Sequence, residues 1–258
     1  MLLSIVLIMI NCYEGYVGVI DSGIGGLTIL KQLQRDYPCC NYVYIADSAY
    51  CPYGTKQPQD ILQRVNRLIA FLSKCNVQAV VIACNTASVY VNTFRKIYSL
   101  PIYDVISSTC ERVVSITRNK RVALLSTNAT MNSRAYQRQL NAKRIEVVSF
   151  ACSKFVPFVE ANKVDTAKCI IEVNKTLCSL PKYNVDTVIL GCTHFPILRE
   201  KIAPYANGAT IVECCTDFLP TDIGNQHGKT VYLTTGEAKQ ANNASKWFGQ
   251  ADFVHINL

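Results

Sequence analysis

The amino-acid sequence predicts an α/β fold made of two similar doubly wound α/β domains, with a cleft between them as the place for a site. Three observations carry this reading. Short apolar runs rich in β-branched residues end abruptly in small or polar residues. Stretches of helical periodicity lie between them. The spacing of the run endings then repeats in the second half of the chain.

The runs come in chain order. Tyr16–Ile20 leads into Asp21-Ser22-Gly23, Tyr42–Ala46 into Asp47-Ser48, and Ala79–Ala83 into Cys84-Asn85-Thr86. Arg121–Leu125 leads into Ser126-Thr127-Asn128, and Thr187–Gly191 into Cys192-Thr193-His194. Continuous apolar runs of this length fit parallel strands buried on both faces. Between them, Gly26–Arg35 places Leu27, Leu30 and Leu33 three apart, and Asp60–Ser73 places Ile61, Val65, Leu68, Ile69 and Leu72 on one helical face. Alternating strands and helices imply βαβ units, whose ligands bind beyond the carboxyl ends of the strands. The residues closing each run are therefore the candidates for function.

The repeat is specific. Asp21 to Pro52 spans 31 residues and Ser126 to Pro157 also 31; Asp21 to Cys84 spans 63 and Ser126 to Cys192 spans 66. Cys51-Pro52-Tyr53 parallels Val156-Pro157-Phe158, and Ala83-Cys84-Asn85-Thr86 parallels Gly191-Cys192-Thr193-His194. Similar element lengths alone do not put Pro at one offset and Cys at the end of the corresponding strand. If the halves face each other, Cys84 and Cys192 oppose each other across the cleft.

Composition excludes several classes. Half the residues are hydrophobic and 17% are charged, which is globular composition. The formal net charge is +8, but Lys and Arg are scattered, with only short pairs such as Arg95-Lys96 and Lys143-Arg144. No nucleic-acid partner is expected from that pattern, and a positive field also attracts a small dianion. The thirteen cysteines are odd in number and lack C-x-x-C spacing, so neither a disulfide scaffold nor a metal site is expected. They read as reduced thiols of a cytoplasmic protein, and Cys75, Cys110, Cys152, Cys169 and Cys178 as small core hydrophobes. The apolar run Met1–Ile10 is too short to span a bilayer and lacks the flanks of a signal peptide. It is read as an extra strand or an over-long start, and no membrane partner is expected.

Two thiols on opposite sides of one substrate suit a proton taken from one face of a carbon and returned to the other, one group starting as thiolate and the other as thiol. His194 stands two residues beyond Cys192, within reach as its proton partner. The corresponding position near Cys84 is Thr86, so Asp21 is the candidate for that half, against the alternative that it caps the following helix. The glycines of Asp21-Ser22-Gly23-Ile24-Gly25-Gly26 fail the dinucleotide fingerprint, because Thr28 stands where a third glycine belongs. A tight loop that approaches a small anion is the better reading.

These residues resemble the glutamate racemase family. Val17-Gly18-Val19-Ile20-Asp21-Ser22-Gly23-Ile24-Gly25-Gly26-Leu27-Thr28 is similar to its opening signature. Cys51-Pro52-Tyr53-Gly54, Ala83-Cys84-Asn85-Thr86-Ala87, Val156-Pro157-Phe158-Val159-Glu160 and Gly191-Cys192-Thr193-His194-Phe195-Pro196 follow in the family's order. Leu233-Thr234-Thr235-Gly236 and Trp247-Phe248-Gly249 resemble its end, so the likeness runs from about Tyr16 onward. It implies interconversion of L- and D-glutamate without a cofactor, to supply D-glutamate for peptidoglycan. It implies Cys84 and Cys192 as the catalytic pair, assisted by Asp21, Glu160 and His194. Asp21, Ser22, Tyr53, Gly54, Asn85, Thr86, Thr193 and His194 match its substrate-binding positions. A homodimer is expected, with glutamate as the small-molecule partner. The expected domains are residues 1–108 with 216–258, and residues 109–215.

Three alternatives stand beside this. Aspartate racemases share the fold and the two-cysteine chemistry, but usually carry Glu where this chain has His194. A pyridoxal-phosphate racemase needs a Schiff-base lysine, and no lysine here has a distinguishing setting. A two-lobed amino-acid-binding protein without catalysis would need no thiol at either strand end. Two departures from the family are the extension before Tyr16 and a segment Cys214–Lys229 that looks shorter than its counterpart.

Overall fold

A computed structural model describes residues 13–215, 228–249 and 251–258. The run Met1–Ile10 and most of the Cys214–Lys229 segment, both singled out above, lie outside the described residues. The chain forms two parallel sheets. The first contains β1 (Tyr16–Asp21), β2 (Asn41–Ala46), β3 (Ala79–Ile82) and β4 (Ile102–Asp104). The second contains β5 (Arg121–Ser126), β6 (Glu146–Ala151), β7 (Thr187–Gly191) and β8 (Thr210–Val212). Two late strands, β9 (Thr230–Thr234) and β10 (Phe253–His255), return to the first sheet.

The strand orders are β10-β9-β2-β1-β3-β4 and β6-β5-β7-β8. Apart from β9 and β10 the two sheets share one topology: the first strand of each half is central, with the second on one side and the third and fourth on the other. The strand order therefore reverses beside β1 and beside β5, which opens a crevice at their carboxyl ends. Register brings the run endings level: Asp21 pairs with Ala46, Ile20 with Ile82, and Ser126 with Gly191.

Each face of the first sheet is covered by one of the expected helices. Helix Leu27–Asp36 packs Leu27, Leu30 and Leu33 against Val17, Val19 and Tyr44. Helix Pro58–Lys74 packs Ile61, Val65, Leu68, Ile69 and Leu72 against Ile20, Val43, Ile45 and Ile82 on the other face. Neighbours along a strand point to opposite faces, so β1 needs apolar side chains on both, which is why its sequence is a continuous run. Each such fully buried side chain contributes about 1.5–3 kcal/mol.

A helix joins the two sheets. Asp104, at the end of β4, accepts hydrogen bonds from the Ile106 and Ser107 N–H groups at 3.0 and 2.9 Å and so caps helix Val105–Ile116. That helix starts with Val105 in the first core and places Ile106, Cys110 and Val113 in the second, with Val122, Leu124 and Ile189.

All described cysteines are free thiols. Cys75, Cys110, Cys152 and Cys169 are buried as expected, but Cys178 is exposed. It caps the carboxyl end of helix Ala167–Leu177, whose inward face carries Cys169, Val173 and Leu177 instead. Among the described residues no helix is long and apolar enough to cross a membrane.

Candidate active site

The carboxyl ends of both sheets meet around one cavity. Ser22, Pro52, Tyr53, Gly54, Cys84, Asn85, Thr86, Thr127, Val156, Cys192, Thr193 and His194 line it. Cys84 lies in the turn from β3 into the helix Asn85–Ser88, and Cys192 follows β7 directly. Both thiols are 6% exposed, so each reaches the cavity from the core of its own half.

The two thiols have different neighbours. The Cys84 thiol donates to Ser22 Oγ at 3.7 Å. Cys192 Sγ lies 3.7 Å from His194 Nδ1, and His194 Nε2 lies 2.6 Å from Glu160 Oε1. Asp21 does not cap the helix after it: Gly26 holds that position without a side-chain bond. Asp21 instead accepts from the Gly23 N–H at 3.0 Å and from Thr193 Oγ1 at 3.3 Å. It stands behind the cavity and touches neither thiol through a hydrogen bond.

Burial and charge set the protonation pattern. Burial, with the Asp21 charge added, pushes the Cys84 thiol up to about 12. Burial also raises Asp21, although the neighbouring His194 and the Gly23 N–H act the other way. Burial disfavours a charged His194, but its hydrogen bonds to Cys192 and Glu160 outweigh that and hold its pKa well above the usual imidazole value. Burial likewise disfavours the Glu160 carboxylate, and the hydrogen bond and charge of His194 reverse this and lower its pKa. The second half thus holds an imidazolium–carboxylate pair behind Cys192, while Cys84 is a neutral thiol.

Small residues make the site compact. A Cβ at Gly25 would stand 2.5 Å from His194 Nδ1 and 2.8 Å from Thr193 Oγ1. A Cβ at Gly23 would collide with Glu160 Oε1. The loop expected to approach a small anion therefore makes its close approach to Glu160, His194 and Thr193 of the opposite half.

Of the remaining expected residues, Asn85 and Thr86 cross-link the halves. Thr86 shares hydrogen bonds with Thr127 (2.9 Å) and Thr130 (3.3 Å). The Asn85 side chain accepts from Tyr136 OH at 2.6 Å and donates to Cys214 Sγ at 3.0 Å. Tyr53 lines the cavity with its ring, while its hydroxyl donates to Asp47 at 2.5 Å. Asp47 is fully buried and also accepts from Arg64 Nη2 at 2.7 Å and Thr235 Oγ1 at 2.7 Å.

Of the expected residues, Ser22, Tyr53, Gly54, Cys84, Asn85, Thr86, Cys192, Thr193 and His194 share the cavity, and Asp21 and Glu160 stand one contact behind it. Thr127 was missed, although it follows β5 much as Ser22 follows β1, so the repeat pointed to it. The Asp47–Arg64 pair was missed too; its signal was a charged residue inside the apolar stripe of helix Pro58–Lys74.

Comparison with known proteins finds racemases. The Asp/Glu/Hydantoin racemase family matches residues 27–216. The chain is 38% identical over 190 residues to a glutamate racemase of Sulfurihydrogenibium sp., covering 72% of this chain and 73% of that protein. It is 37% identical over 261 residues to a glutamate racemase of Enterococcus faecalis, covering 93% and 96%. The crystal structure of a glutamate racemase isoform from Bacillus anthracis superposes with a TM-score of 0.87 at 27% identity, covering 96% of this chain and 99% of that one.

Proposed function

Because the chain belongs to the Asp/Glu/Hydantoin racemase family, we propose that it is a glutamate racemase that moves the α-proton between Cys84 and Cys192. It is an isomerase of two α/β domains, and glutamate is the substrate that its relatives' activity assigns to it. The observation that carries the reading is the pair of buried thiols, one from each sheet, facing one cavity.

In one direction Cys192, paired with His194, takes the α-proton, and the Cα–H electron pair passes into the carbanion. Cys84, a neutral thiol, gives its proton to the opposite face of Cα. The reverse direction swaps the roles, so protons balance and no cofactor is consumed. His194, held as an imidazolium by Glu160, stabilises the Cys192 thiolate that acts as the base. Asp21 serves the Cys84 half through the field of its carboxyl. In this reading Ser22, Tyr53, Gly54, Asn85, Thr86, Thr193 and His194 hold the substrate. The domains divide as residues 1–108 with 216–258, and 109–215. The enzyme works as a cytoplasmic homodimer feeding peptidoglycan synthesis.

Circular dichroism of chelator-treated protein with L- and D-glutamate and with L- and D-aspartate tests the assignment. Glutamate is expected to racemise from both enantiomers and aspartate to be poorer by orders of magnitude. Preference for aspartate, or a requirement for pyridoxal phosphate, would overturn it.

A further inference from the structure

The wall between the cavity and a neighbouring groove holds a donor set that the two-thiol chemistry does not use as such. Cys51 and Glu160 line that groove with Ile24, Ser48, Pro157 and Gln240, while His194 lines the cavity on the other side of the wall. Ligand atoms of Cys51, Glu160 and His194 all lie within 4.8 Å of one another. His194 turns Nε2 toward this cluster and keeps Nδ1 for Cys192. The Ile24 N–H fixes the carboxylate by donating to Glu160 Oε1 at 3.2 Å. Gly23 forms the floor: a Cβ there would collide with Glu160 Oε1 and come within 3.0 Å of Cys51 Sγ. Only glycine leaves the Glu160 and Cys51 donors this room.

Thiolate, imidazole and carboxylate are the ligands of Zn²⁺, and three protein ligands with an open position make an accessible site. At bond lengths of about 2.0–2.3 Å, tetrahedral donors stand about 3.3–3.6 Å apart. The 2.6 Å contact between His194 and Glu160 must open by under an ångström, and the widest pair in the cluster must close. No short spaced motif announces this site, because its donors come from three distant segments.

We propose that Cys51, Glu160 and His194 form a regulatory site for a borderline-soft divalent cation, Zn²⁺ by its donor chemistry, and that its occupation slows racemisation. On binding, the protons of the Cys51 thiol and of His194 Nε2 leave to solvent, and sulfur, nitrogen and oxygen lone pairs form the metal bonds. The ion breaks the His194–Glu160 hydrogen bond and fixes one imidazole tautomer. His194 is then no longer an imidazolium paired with Glu160, and Cys192 loses the charged partner that stabilises its thiolate. The inhibition rests on the racemase reading; the binding does not.

The test is a Co²⁺ titration of reduced, chelator-treated protein, followed by Zn²⁺ inhibition of glutamate racemisation. Wild-type protein should show a thiolate-to-cobalt charge-transfer band saturating at one equivalent, and Zn²⁺ should inhibit it reversibly with a chelator. Cys51→Ala should lose the band, keep its activity without zinc, and need at least about tenfold more Zn²⁺ for half-inhibition. Cys51→Ser, closer in size, should behave alike. Absence of the band in wild type, an unchanged band in both variants, or unchanged zinc sensitivity would overturn the site, the last placing the ion on Cys84 and Cys192. The cobalt band is read without substrate, so failure of the racemase reading and failure of the metal site are separate results.

Discussion

A single methyl group at residue 25 tests whether His194 works by its position. In Gly25→Ala the new Cβ would lie 2.5 Å from His194 Nδ1 and 2.6 Å from its Cε1, where ordinary contact begins at 3.4 Å. The ring must therefore give way by about 0.9 Å, the difference between those two distances. Glu160 holds its far nitrogen at 2.6 Å, so the movement takes Nδ1 off its line to Cys192. A displacement of about 1 Å costs on the order of 10²-fold in rate, or about 2.7 kcal/mol of transition-state stabilisation. The backbone tolerates alanine here, since Gly25 is not among the residues with positive φ. The loss should appear in kcat and be largest in the step where Cys192 is the base. Circular-dichroism rates from both enantiomers, with isotope effects on α-deuterated glutamate, read it directly. Gly26→Ala is the counterpart: its Cβ meets Asp21 Cβ at 2.5 Å and should disturb the Cys84 half. A Gly25→Ala enzyme with wild-type kcat in both directions, or isotope effects that change alike in the two variants, would refute the reasoning.

Cys84→Ala and Cys192→Ala should each abolish racemisation. Cys84→Ser and Cys192→Ser should eliminate chloride from opposite enantiomers of β-chloroglutamate, and elimination from the same enantiomer would show that the thiols do not flank the substrate. Arg64→Leu strands the buried Asp47 carboxylate and should cost about 3–5 kcal/mol, a fall in Tm of about 6–20 °C for a chain of this size. Adding Asp47→Asn should recover part of that loss, and an unchanged Tm in Arg64→Leu would show that the pair is not worth its burial. Cys84 and Cys214 are both raised from 9.0 to about 12. The folded state keeps protons that the unfolded state loses, so stability is full below about pH 9 and falls as pH rises toward about 12, by about 1.4 kcal/mol per pH unit for each thiol. Urea midpoints across that window should fall less steeply in Cys214→Ala than in wild type, and equal slopes would contradict the assignment.

What the sequence disclosed followed from burial. The strands β1, β2, β3, β5 and β7 are covered on both faces and read as apolar runs. The strands β4, β8 and β10 are three residues long, and β6 is an edge strand with mostly half-exposed side chains, so none left such a run. Cys84 and Cys192 were visible because a polar motif follows each strand end. Cys178 was misplaced because a cysteine's apolar character does not say which face of a helix turn it occupies. The partners of Asn85 and Thr86 were hidden, since Tyr136, Cys214, Thr127 and Thr130 come from the other half and no local spacing announces them. The loop glycines were recognised as close-approach residues, but what they approach is set by how the two halves face each other.

That facing is also what makes the repeat into one site. The halves share a strand order and each contributes a thiol, yet neither holds its own proton relay in place. Glu160, from the second half, is fixed by the Ile24 N–H of the first. Asp21, from the first, accepts from Thr193 of the second, and Thr28 Oγ1 donates to the Thr193 carbonyl at 3.2 Å. The ring of His194 in turn lies against Gly25 of the first half, where a Cβ would stand 2.5 Å from Nδ1. Each half therefore fixes a polar group of the other, and the arrangement around the cavity belongs to neither half alone.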